Sequence, residues 1–265
     1  MKDFCFVING NNSLNIMVPL FFETLVRCND VSDYCIHAII KDVDTSGVAI
    51  DPKIVDYIEG QKNTCPTELI VHHLDPFILE RGPDRQLTPC IHTDVALTAE
   101  WAMNNCGDSD WVVLSHFDIF FKKDVLSFMS SQIQHDTGVV GRHAYGIMFI
   151  NREAFRQSFV GFRTMAGFHL VLDPGKVGGE FYKVRINKDG TVDGKKLIEG
   201  FDCFELFELS LGTIWFNAVC TDIAIFKEYT GHLIQGSGYH NNQATANMQR
   251  DNMRRMANLY KTTIL

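Results

Sequence analysis

The stretch Trp111–Phe121, "WVVLSHFDIFF", sets two ionisable residues, His116 and Asp118, inside an otherwise apolar run. The four apolar residues that open it follow the polar "CGDSD" and read as a buried strand. What comes next is either a satisfied core histidine with a turn aspartate, or a pair of ligand groups at the strand's end. Residues two apart on a strand point to the same side, so His116 and Asp118 can converge on one object. In open α/β sheets, ligands bind at the C-terminal edge of the strands. A carboxylate beside an imidazole fits Mn²⁺, and fits Mg²⁺ less well.

The flanking sequence supplies the frame for that edge. Upstream, "HTDVALTAEWAMN" (His92–Asn104) reads as a helix with Thr93 or Asp94 near its N-cap. The chain begins with an apolar run, Phe4–Ile8, stopped by the turn "NGNN" (Asn9–Asn12). A helix over Ile16–Cys28 follows, with Pro19 tolerable in its first turn, and then a strand over Tyr34–Asp42. This β–α–β order favours a parallel pair with a right-handed crossover, and Asp42 and Asp44 leave the second strand. "PKIVDYIEG" reads as a helix ended by Gly60, and "TELIVHHL" as a third strand.

Downstream, "KKDVLSFMSSQ" is helical, and "TGVVGRHAYGIMFINREAF" holds strand material before a helix starting near Arg152. Residues 160–196 read as a long glycine-rich loop or insertion, with a hairpin turn at Asn187–Thr191. "IEGFDCFELFELSLGT" is expected to be a helix ended by Gly212, "IWFNAV" a strand, and "YTGHLIQGSGYHNN" a polar loop carrying His232 and His240. A terminal helix would set Arg250, Arg254 and Arg255 largely on one face, which reads as a solvated face before it reads as a phosphate-binding one. The alternation of strands and helices predicts one α/β domain: a mainly parallel central sheet with helices on both faces.

Bulk properties narrow the function classes. With 265 residues, 46% hydrophobic and 21% charged, the chain has the composition of an ordinary soluble globular protein. A formal net charge of -8 disfavours nonspecific attraction to nucleic acid. "MKDFCFVINGNN" lacks a secretory pattern, and no run approaches the roughly 20 apolar residues of a membrane span. The eight cysteines lie far apart without a C-x-x-C pair, a spacing that argues against a zinc site and against a disulfide scaffold. Buried free thiols in a cytoplasmic protein are the expectation.

Taken in order, these segments resemble a known family. "HTDVALTAEWAMNNCGDSDWVVLSHFDIFF" resembles the central segment of nucleotide-sugar glycosyltransferases with the GT-A fold, whose buried strand ends in a D-x-D motif, here in the variant form H-F-D. "GRHAYGIMFINREAF" is similar to the strand and helix that follow, "GFDCFELFELSLGTIWF" to the acidic acceptor-side segment, and "GHLIQGSG" to the C-terminal H-x-x-G-x-S loop. The resemblance implies a single GT-A, Rossmann-like domain over 1–265 with a short antiparallel addition. Residues 1–125 would form the nucleotide-sugar-binding half, 126–245 the acceptor-side half and 246–265 the terminal helix.

It also implies roles. Asp118 would ligate a divalent metal (Mn²⁺ or Mg²⁺), His116 would touch the metal or the ribose, and His232 would close the metal shell. Asp42 or Asp44 would bind the nucleotide's base or ribose. The turn at Asn9, Gly10, Asn11 and Asn12 would line the nucleotide, and His92 would lie against the donor. The implied activity is transfer of a sugar from a nucleoside-diphosphate sugar to an acceptor hydroxyl. An inverting reaction needs a general base, for which Asp202, ahead of Glu205 at (i, i+3), is the candidate. A retaining enzyme needs none, and both outcomes stay open. So does the acceptor: a glycan, a small molecule, a lipid head group or a modified nucleic acid base.

Two other classes stand beside this one. A nucleotidyltransferase would carry a basic, glycine-rich phosphate loop after the first strand, where this chain has "NGNNSLN". A nucleotide-sugar-binding protein with weak or lost activity is kept in view by the histidine in H-F-D.

Overall fold

The computed structural model describes residues 2–8, 17–43, 49–74, 91–142, 146–158, 170–172, 181–186, 192–197, 207, 211–212, 214–220, 222–232, 251 and 254–262, with backbone alone for 91–97, the described part of 170–197, and 232. The first strand, β1 (Lys2–Ile8), leads to α1 (Met17–Cys28) and β2 (Tyr34–Lys41). Next come α2 (Pro52–Gln61), β3 (Leu69–Leu74), α3 (Ile91–Asn105), β4 (Trp111–Ser115) and β5 (Ile119–Phe121). The chain continues through α4 (Val125–Ser130), β6 (Thr137–Arg142), β7 (Ile147–Asn151) and α5 (Arg152–Gln157). It then forms β8 (Leu170–Leu172), β9 (Phe181–Ile186), β10 (Val192–Leu197), β11 (Asn217–Val219), α6 (Ile223–Tyr229) and β12 (Thr230–His232).

Seven strands form one sheet in the order β11-β6-β7-β4-β1-β2-β3. β1 pairs in parallel with both β2 and β4, and β2 with β3; only β7 runs against its neighbours β4 and β6. The central strands are buried on both faces, as covered parallel strands must be. Alternation along β1 shows how each face is filled. Phe4, Phe6 and Ile8 pack into a core with Phe21, Phe22 and Leu25 of α1 and Ile54 and Ile58 of α2. Cys5 instead joins Ala99, Ala102 and Met103 of α3, together with Phe155 of α5. Helices therefore cover both faces, as expected.

Local chemistry accounts for most boundaries. Pro52 occupies the first turn of α2 behind the Asp51 cap, whose side chain accepts from Lys53 N–H at 3.0 Å. Asp124 and Asn151 cap α4 and α5 in the same way. Other boundaries correct the sequence reading. Gly60 lies inside α2, which runs on to Gln61, so it does not stop the helix. Helix α3 already begins at Ile91, so Thr93 and Asp94 are helical residues and neither is the N-cap. The supposed loop 160–196 contains β8, β9 and β10, an antiparallel three-stranded sheet. The hairpin expected around Asn187–Thr191 is supported by the β9–β10 pairing on either side of it. The polar loop after Tyr229 opens with a strand, β12, and α6 before it went unread; Asp222 caps that helix.

Candidate active site at the strand edge

The expectation that His116 and Asp118 share a strand face is corrected by the structure. Strand β4 ends at Ser115, and residues 116–118 form the turn into β5. The two side chains still meet, with Nδ1 of His116 3.6 Å from Oδ1 of Asp118. His116 is about a third exposed and Asp118 is mostly buried. The imidazole is the more exposed side of the pair.

That turn is held on both flanks. His116 N–H donates to the Gly146 carbonyl at 2.7 Å, and the Ser115 hydroxyl donates to the same oxygen at 3.3 Å. Gly146 has φ +85°, and a Cβ there would collide with the Ile119 side chain, so this position needs glycine. On the other flank β5 pairs antiparallel with β12, setting His232 opposite Ile119 and Gly231 opposite Phe120. The register thus brings His232 next to the His116–Asp118 turn from more than a hundred residues away. Beneath β5, Phe121 N–H donates to the Thr24 hydroxyl of α1 at 3.1 Å.

Asp42 sits at the same edge of the sheet, one residue past the end of β2, where its carboxylate meets Nδ1 of His73 at 3.0 Å. With neighbouring strands about 4.8 Å apart, Asp42 and the β4 turn flank the end of β1 across roughly 10 Å. Lys41, the last residue of β2, is 1% exposed. Neither His73 nor Lys41 was singled out from the sequence; a histidine and a lysine closing two apolar strands were the available signals.

His92 lies in the first turn of α3. Asn9, Gly10, Asn11, Asn12, Asp44, Asp202, Glu205, His240 and Arg250 lie outside the described residues. Arg254 and Arg255 are exposed in a helical segment over 254–260, and Arg254 faces Asp251 at 3.7 Å.

A second polar constellation lies deep under α3, towards the opposite ends of the strands. Asp3 on β1 accepts from Arg152 of α5 at 3.0 Å and from Ser109 N–H at 3.2 Å, and its other oxygen is 3.3 Å from Nε2 of His37 on β2. Arg152 also donates to the carbonyls of Met103, Cys106 and Ser109. Nδ1 of His37 lies 2.9 Å from Nε2 of His72 on β3, and the Cys106 sulfur is 3.9 Å from that same Nε2.

The charges there follow from the contacts. Burial pushes the Asp3 carboxyl up, but hydrogen bonds from His37 and Ser109 outweigh it and hold the group below its ordinary value. Burial pushes the His37 imidazolium down, yet its bonds to Asp3 and Cys106 raise it to about 9. Cys5, buried against Cys106, is driven up by desolvation while its S–H bond holds the Cys106 thiol well down.

Among the described residues, His, Cys, Asp and Glu ligand atoms gather within 4.8 Å of one another in two groups of three, His37–His72–Cys106 and Asp3–Cys35–His37. The described cysteines are all free, and Cys5, Cys35 and Cys106 are buried as expected, whereas Cys220 is exposed.

No protein-family model and no curated protein matches the chain. Solved glycosyltransferases are similar to the chain, with the fold shared at a TM-score of 0.50 in one of them. The apo form of the glycosyltransferase GlyE of Streptococcus pneumoniae aligns with a TM-score of 0.50 at 10% identity, over 99% of this chain and 64% of that one. The galactosyltransferase LgtC, in complex with donor and acceptor sugar analogs, gives 0.45 at 11% identity over 99% and 97%. Residues 1–349 of S. aureus TarS give 0.41 at 12% identity over 61% of this chain. This chain spans half the length of that TarS structure. The likeness to GlyE is one of fold.

No helix among the described residues is long and apolar enough to cross a membrane.

Proposed function

We propose that the protein is a glycosyltransferase, moving a sugar from a nucleoside-diphosphate sugar to an acceptor hydroxyl at the C-terminal edge of β4. The observation that carries this reading is the turn at 116–118, where a mostly buried carboxylate meets a part-exposed imidazole and β12 sets a second histidine alongside. Carboxylate and imidazole donors with room for water and diphosphate suit Mn²⁺, and Mg²⁺ less well. Asp118, with His116 and His232, would hold such an ion. A divalent cation bound there supplies the Lewis acidity that neutralises a leaving diphosphate.

The chain's own groups do the rest. Asp42 or Asp44 holds the base or ribose, the Asn9–Asn12 turn lines the nucleotide, and His92 lies against the donor. Asp202, or failing that Glu205, takes the proton from the acceptor hydroxyl in an inverting transfer.

A panel of labelled nucleotide sugars with Mn²⁺ tests the proposal, read as hydrolysis or transfer. Asp118→Ala should lose metal-dependent donor binding. Asp202→Ala should keep donor binding and lose transfer by at least about a hundredfold. Unchanged turnover in Asp202→Ala would remove the base assignment. Donor binding without turnover across the whole panel would make the protein a binder instead of an enzyme.

A further inference from the structure

The buried constellation under α3 takes no part in the chemistry proposed at the strand edge, yet it concentrates three metal-binding side chains. His37 comes from β2, His72 from β3 and Cys106 from the end of α3. Two ring nitrogens 2.9 Å apart cannot present lone pairs to each other; a shared proton or a metal ion must lie between them. A proton can bridge only two atoms. Here the Cys106 sulfur makes a third donor against the same nitrogen.

We propose that Nδ1 of His37, Nε2 of His72 and Sγ of Cys106 bind a structural zinc ion. Zinc takes nitrogen and thiolate ligands tetrahedrally, with bonds of about 2.0–2.1 and 2.3 Å. Those bonds imply edges of about 3.3 Å between nitrogens and about 3.6 Å from nitrogen to sulfur. The observed 2.9 and 3.9 Å lie within a few tenths of an ångström of them.

The surroundings have the features of a metal's outer shell. Asp3 engages Nε2 of His37, which leaves Nδ1 as the ligating atom, the carboxylate–histidine arrangement that orients metal ligands. Asp3 is itself fixed by Arg152 and Ser109. The Trp101 ring sits edge-on to His72 at 5.2 Å between centroids. The Cys5 side chain packs in the same core cluster as Cys106. His72 is partly exposed while His37 and Cys106 are buried, so an ion has one way in.

Separation in sequence hid this arrangement. Short spacings such as C-x-x-C identify zinc sites built on one turn, whereas these ligands lie 35 and 34 residues apart, two on the paired parallel strands β2 and β3 and one just past the end of α3. The spacing argument against zinc holds for local sites and fails for this one.

The test is zinc content of the full chain after dialysis against a weak chelator, with Co²⁺ substitution as a spectroscopic readout. Stoichiometric zinc is expected, and the Co²⁺ form should show tetrahedral d–d bands and a sulfur-to-cobalt charge-transfer band. Cys106→Ser should abolish the charge-transfer band, and His72→Gln, altering the exposed ligand, should weaken zinc by at least about tenfold in a folded protein. Asp118→Ala should leave zinc content unchanged, which separates this site from the one proposed at β4. A zinc-free protein that gives no sulfur-to-cobalt band on reconstitution would overturn the proposal, as would zinc lost through Asp118→Ala.

Discussion

The two polar clusters differ in how they are held. The His116–Asp118 turn lies at the sheet's edge, part open to solvent, and is positioned by backbone: the Gly146 carbonyl on one side and the β5–β12 ladder on the other. The Asp3–His37–Arg152 cluster is buried and positioned by its own side chains. Interior charges must be paired, so removing one member there strands another. An edge carboxylate can be removed and replaced by water. The first cluster is disposable for folding and the second is not.

The largest effect should come from Arg152→Ala, which leaves Asp3 short of its cation and three carbonyls short of a donor. A loss of about 3–5 kcal/mol is expected in denaturant unfolding. A loss under about 1 kcal/mol would erase the contrast. Gly107→Ala should come next, because Gly107 has φ +65° and a Cβ there would strike the Asp3 carboxylate. About 1–3 kcal/mol is expected, read in the same way. Gly231→Ala drives a Cβ into the Phe120 ring and should force β12 away from β5. About 1–3 kcal/mol of destabilisation is expected, together with weaker donor binding by calorimetry.

Asp118→Ala should cost less than about 1 kcal/mol of stability while removing metal-dependent donor binding, which separates site from scaffold. His73→Ala should have the smallest effect, since the His73–Asp42 pair is more than 40% exposed on both sides. Less than about 1 kcal/mol is expected from chemical unfolding.

The same contrast explains what was legible in the sequence. Parallel strands buried on both faces are continuous apolar runs, so β1, β2 and β4 stood out, and the β–α–β order fixed their direction. His116 and Asp118 were visible because they interrupt such a run. The pairing that sets His232 beside them is a long-range register that no local pattern encodes, although the resemblance in "GHLIQGSG" pointed to the residue. Asp3 looked like a polar residue preceding a strand and Arg152 like a helix start. Their ion pair bridges β1 and α5, and each partner alone has an ordinary local explanation. His37 and His72 sat inside "YCIHAII" and "IVHHL" as the only hint that those strands border something polar.

The ladder between β5 and β12 also has a consequence for the order of assembly. Residues 119–121 emerge from synthesis long before residues 230–232, which they need as a partner. Until then β5 is an unpaired three-residue edge, resting on α1 through Thr24. The β-sheet framework can form from earlier, more local pairings, whereas closing a loop of this length is entropically slow. The edge that carries His116 and Asp118 is therefore among the last parts of the molecule to be completed, so a nascent chain can hold most of its scaffold before it has a competent site.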